Sequence, residues 1–85
     1  METIKKFSDK NLVAYLLAKE FKESALPELD HGRVFFSFDY TPELEQETLN
    51  FYGGHSLVDA QAYAYHMRRL AITASEMHKG GGQNV

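Results

Sequence analysis

With 85 residues the chain has room for one domain and one modest core, which buries roughly 60–65% of the surface an unfolded chain exposes. Hydrophobic residues at 44% and charged residues at 25% exclude a wholly disordered chain, and the absence of cysteine excludes disulfides, thiolate metal sites and thiol catalysis. A net charge of −3 argues against a dedicated nucleic-acid binder, whose footprint is a strongly basic face.

Residues 3–7 are short and partly β-branched and are bounded by Ser8-Asp9, which predicts an edge strand with Ile4 inward and Lys5 or Lys6 in solvent. Ser8 then reads as an N-cap with Asp9 in the positive first turn. Leu12, Val13, Leu16, Leu17 and Phe21 keep the spacing of one helical face, so a first helix is expected over residues 9–23, with Lys10, Lys19, Glu20 and Lys22 mostly off that stripe. Residues 24–29 contain Pro27, which cannot donate to a sheet ladder, and read as a short irregular edge strand. Asp30-His31-Gly32 supplies a turn, with Gly32 free to adopt positive φ, and returns the chain as a hairpin into residues 33–40.

That last run is the densest in aromatic and β-branched residues. Val34, Phe36 and Phe38 alternate with Phe35, Ser37 and Asp39, so a strand turns three large apolar side chains toward a core. The face of Phe35 has two outcomes: cover by the third helix or a partner, or an open surface. Thr41-Pro42-Glu43 starts a second helix, with Thr41 as N-cap, Pro42 where a missing N–H costs nothing, and Glu43 and Glu45 at the positive end. Leu44, Leu49, Phe51 and Tyr52 give it apolar content, and Gly53-Gly54 stops it. Asp59 caps a third helix over residues 60–79, on which Tyr63, Met67, Leu70, Ala74 and Met77 are spaced four, three, four and three. Part of so long a helix projects or meets a partner chain. Residues 80–85 read as a flexible tail.

The expected fold is therefore α+β, a small mostly antiparallel sheet of about three strands covered by three helices in the order β-α-β-β-α-α. Residues 1–79 form a single domain. Residues 1–10 hold no apolar run of signal-peptide length and no stretch approaches the ~18 apolar residues of a membrane span, so a cytoplasmic protein with no membrane partner is expected.

Asp9 with Leu12-Val13-Ala14-Tyr15-Leu16, then Arg33-Val34-Phe35-Phe36-Ser37-Phe38, then Leu57-Val58-Asp59 resemble the pattern of a small bacterial family of uncharacterised domains often found in phage-derived or mobile-element neighbourhoods. The resemblance covers residues 7–77, and its motifs are two capped helices and an aromatic strand. The family commonly has proline after the last aspartate, where this chain has Ala60. It has no assigned activity, so the resemblance implies a fold and transfers no catalytic or ligand residue.

The chemistry-bearing residues favour structural roles. His31, His55, His66 and His78 match no metal-ligand spacing, so no metal or cofactor is expected. Asp39, Glu43, Glu45 and Glu47 cluster around the start of the second helix, which sketches a cation site or acid–base pair; the favoured reading is that carboxylates there complement the dipole, which explains Glu43 and Glu45. The serines lie outside any Gly-x-Ser-x-Gly or Ser-x-x-Lys arrangement, and the glycine pairs lack the strand and lysine of a phosphate loop. A non-catalytic module is expected.

Two surfaces remain. Arg68-Arg69 with His66 and Lys79 make the last helix locally basic, and with Tyr65 and Phe35 sketch an accessory nucleic-acid face. The alternative is that both arginines drape their stems over the apolar seam or pair with glutamates of the second helix. Tyr63 and Tyr65 stand about 200° apart around a helix, so at least one faces away from the seam. The aromatics exceed what so small a core buries, which points to protein contact, either with a partner or in a homodimer, through Phe35, Tyr63, Tyr65, Arg68 and Arg69. Tyrosines scattered singly over a monomer are the competing reading.

Overall fold

The computed structural model describes residues 3–82, and its elements follow the expected order: β1 (Ile4–Phe7), α1 (Lys10–Ala18), β2 (Glu28–Asp30), β3 (Arg33–Asp39), α2 (Pro42–Tyr52) and α3 (Ala60–Gly82). The aromatic strand β3 is central, with antiparallel neighbours on both sides in the order β1-β3-β2. Cross-strand partners share a face of the sheet. The register Phe7↔Phe36, Lys5↔Phe38 and Leu29↔Val34 therefore defines a face carrying Val34, Phe36 and Phe38, all three of them buried. Leu12, Leu16 and Tyr15 of α1, Leu44 of α2, and Leu70 and Ala74 of α3 complete that core.

This register corrects the expectation for Ile4. Its partner is Asp39, which puts Ile4 on the opposite face, where it is 44% exposed, while Phe7 packs inward with its ring 6.0 Å from that of Phe38. A four-residue strand offers two alternations, and the larger aromatic takes the core side. On the outer face Lys6 lies opposite Ser37 and Glu28 opposite Phe35, and their side chains close a 3.1 Å ion pair across β3. Roofed in this way, Ser37 is only 2% exposed and Phe35 is half-buried. Within the chain, Phe35 is half-buried beside this ion pair of its own sheet.

The first helix is shorter than its periodicity predicts. Asp9 is the N-cap, in place of Ser8, since its Oδ1 accepts from the backbone N–H of Asn11 and Leu12 at 3.0 and 3.4 Å. The helix ends at Ala18 because Glu20 adopts φ 75°. The Phe21 N–H then donates to Leu16 O at 3.1 Å and the Glu20 N–H to Leu17 O at 2.9 Å, while Phe21 turns back onto the core. This is a Schellman stop with glutamate where glycine is usual. Beyond it the chain touches β3 at a single bridge, Glu23↔Phe38, with Ser24 N–H donating to Ser37 O at 2.8 Å. It bulges past Pro27 before pairing regularly as β2. His31 and Gly32, at φ 51° and 81°, form the two-residue hairpin turn.

The second helix begins at Pro42, with Thr41 Oγ1 accepting from Leu44 N–H at 3.0 Å, and ends at Gly53. Leu49 and Tyr52 are exposed, so Leu44 and Phe51 carry its packing. Asp59 Oδ2 accepts from Ala62 N–H at 2.8 Å at the start of α3, whose helical backbone continues through Gly82. Of the expected tail, residues 83–85 lie outside the described residues. Among the described residues no helix is long and apolar enough to cross a membrane.

Candidate functional site

The seam of α3 packs as its spacing predicts, Leu70 and Ala74 buried and Tyr63, Met67 and Met77 partly buried against the core, chiefly on α1. At about 100° per residue, Tyr65, Arg68, Arg69, Ile72, Glu76 and Lys79 fall on the opposite side, and all six are exposed. Ile72 is squarely opposite the seam and 60% exposed; Tyr65, one heptad earlier, is 52% exposed. Of the two neighbouring tyrosines, then, Tyr63 belongs to the core side and Tyr65 to the outside.

The outer face has internal order at one end. The Arg69 guanidinium stacks 5.7 Å from the centroid of the Tyr65 ring, and that ring meets His66 edge-on at 5.1 Å. The Nδ1 atom of His66 is buried and has no hydrogen-bond partner among the described residues. Desolvation, with Arg69 adding to it, holds the imidazole below its ordinary pKa, so His66 is neutral at pH 7. Desolvation raises the carboxyl of Glu23, and Arg69 works against that rise, which places the guanidinium among Tyr65, His66 and Glu23. Among the described residues Arg68 and Arg69 form no ion pair with the glutamates of α2; Glu47 instead faces Lys19 at 3.9 Å.

Phe35 lies on the outer face of the sheet, apart from these residues. The structure thus joins Tyr65, Arg68 and Arg69 on one surface and separates Phe35 and Tyr63 from it. Ile72 escaped the sequence reading, although its position seven residues after Tyr65 carried the signal.

Two concavities flank the core. A groove of about 510 Å³ runs between the start of α1, the β2-β3 turn and α3, lined by Asp9, Lys10, Arg33, Met67 and His78 among others. Several of its polar groups are engaged: Arg33 Nη1 donates to Ser8 Oγ at 3.3 Å, His78 Nε2 lies 2.8 Å from Gly32 O, and Asp9 caps α1 while accepting from the Tyr52 hydroxyl at 3.0 Å. A smaller slot of about 80 Å³ opens between β1 and α2, around Phe7, Leu44 and Leu49.

The most perturbed titratable pair is internal. Tyr15 is 1% exposed and donates its hydroxyl proton to Glu47, which also accepts from Asn50 Nδ2 at 3.3 Å. Burial first, then the glutamate, push the phenol up to about 12, and the tyrosine's hydrogen bond holds Glu47 below the usual carboxylate range. This network ties α1 to α2. The acidic cluster expected at the head of α2 is dispersed by it, Glu47 turning inward and Asp39 lying on the outer sheet face. Among the described residues no three histidine or carboxylate side chains converge as metal ligands. No protein-family model, curated protein or solved structure matches the chain.

Proposed function

We propose that the chain is a non-catalytic protein-interaction module that binds through the outer face of α3, in a bacterial or mobile-element setting. One observation carries the reading: Ile72 and Tyr65, both exposed, stand together with Arg68 and Arg69 on the face of a 23-residue helix opposite its packed seam. Tyrosine and arginine beside an aliphatic anchor are the residue types that contribute most where protein surfaces meet. The non-catalytic reading is supported by the employment of the most perturbed pair, since Tyr15 and Glu47 are committed to each other where α1 packs on α2. The setting rests on the family resemblance, and a cytoplasmic location on the cysteine-free composition.

The Tyr65-Arg69 stack with Arg68 beside it favours a second reading, an accessory nucleic-acid binder. Glu76 on the same face and the net charge of −3 weigh against it. Photocrosslinking in the producing cell separates the two. A benzophenone placed at position 72 is expected to give protein adducts that the same probe at position 4, on the outer sheet face, does not. Absence of protein adducts at position 72 overturns the reading. Retention of single-stranded DNA at low salt, lost on Arg68→Glu with Arg69→Glu, replaces it with the second.

A further inference from the structure

The charges on the outer face of α3 are ordered as a two-fold axis requires. We infer that the face docks a second copy of this chain, α3 against α3, antiparallel, with the axis through Ile72; this rests on the interaction reading above. Arg68 lies four residues before Ile72 and Glu76 four after, while Tyr65 lies seven before and Lys79 seven after. In an isologous antiparallel pair, positions equidistant from the axis on either side face one another. Each Arg68 meets a Glu76, each Lys79 meets a Tyr65 ring already stacked on its other side by Arg69, and Ile72 meets its own symmetry mate. The pair of charges set directly opposite one another, Arg68 and Glu76, is therefore complementary.

A parallel pair would set Arg68 on Arg68 and Glu76 on Glu76, so the same order disfavours the other orientation. The residues are free to pair: the ion pairs among the described residues are Lys6-Glu28, Lys19-Glu47 and His31-Asp30, and Arg68, Glu76 and Lys79 belong to none of them. The contact stripe from Tyr65 to Lys79 is on the order of 20 Å long, which makes a small interface and a weak, concentration-dependent dimer.

Sedimentation equilibrium of the purified full chain, at low salt and up to about 1 mM, reaches the weak end of specific association. The expected mass rises from 9.7 kDa toward twice that value. Arg68→Glu and Glu76→Arg each place like charges together twice per dimer and are expected to weaken association about tenfold. Combining Arg68→Glu with Glu76→Arg restores both pairs and the dimer. All three variants alter exposed side chains, and unchanged circular-dichroism melts check that they fold. A wild-type chain that stays monomeric throughout overturns the second copy, whereas crosslinks from position 72 to a different protein would leave the interaction reading standing. A dimer unmoved by the single reversals, or weakened by them and not restored by the double one, overturns this geometry.

Discussion

Replacing Glu20 with glycine is expected to stabilise the fold. Glu20 ends α1 at φ 75°, a region where a Cβ crowds the following carbonyl and costs a non-glycine residue about 1–2 kcal/mol. Glycine removes that cost but brings about 0.5–1 kcal/mol of extra backbone entropy to lose on folding. The difference leaves a net gain of about 0.5–1 kcal/mol, or about 2–8 °C in the melting midpoint of a domain this size. No side-chain contact offsets it, because Glu20 is exposed and takes part in no side-chain hydrogen bond or ion pair among the described residues. Thermal and urea unfolding followed by circular dichroism provide the assay. Glu20→Ala is the control: it keeps the Cβ and is expected to stay within about 0.5 kcal/mol of the parent. A Glu20→Gly midpoint equal to or below the parent's would refute the assignment of strain to this residue.

Tyr15→Phe should cost about 1.5–3 kcal/mol, the worth of a hydrogen bond to a charged acceptor, without a cavity to add to it. The same pair sets a pH dependence. The phenol is raised in the folded protein, so its contribution is complete below the unfolded value near 10 and is lost as pH climbs toward about 12. Glu47 is lowered, so its contribution is present above its unfolded value and lost as pH falls through the folded one. Urea midpoints across pH check both arms, and Tyr15→Phe should flatten the alkaline one. Asp59→Ala removes the cap at the head of α3 and should cost about 1 kcal/mol in the same assay, with Asp59→Asn recovering most of it. The Lys6-Glu28 pair is half-exposed on both sides, so a double-mutant cycle should return no more than about 0.5 kcal/mol, vanishing at 1 M salt.

Most of the architecture was written in local signals. Thr41-Pro42 and Asp59 mark helix starts through the oxygens that cap them, and the spacing from Tyr63 to Met77 names the buried side of α3 before any partner is known. The failures share a cause, which is that tertiary contact chose between local options. Ile4 and Phe7 compete for one face, and only pairing with Phe36 settles it in favour of Phe7. Phe21 sits on the helical stripe by periodicity, yet reaches the core by ending the helix, at the expense of strain in Glu20. Ser37 looks like a solvent-facing residue until Lys6 and Glu28 meet above it. For the candidate site, Tyr65, Arg68 and Arg69 were singled out from helical geometry, and Ile72, one heptad after Tyr65 and opposite the same seam, was legible by that geometry but was passed over.

The strand order has a kinetic consequence. β2 and β3 are joined by two residues, so their hairpin closes on the microsecond scale. β1 instead pairs with β3 across the whole of α1 and that hairpin, Ile4 meeting Asp39, and its closure must wait until both are in place. The strand made last is also short and at an edge, secured by four register pairs and one inward phenylalanine. Amides of residues 4–7 should therefore exchange with solvent by local opening, well before those of β3, so that β1 detaches reversibly from a sheet whose hairpin and helical layer stay folded.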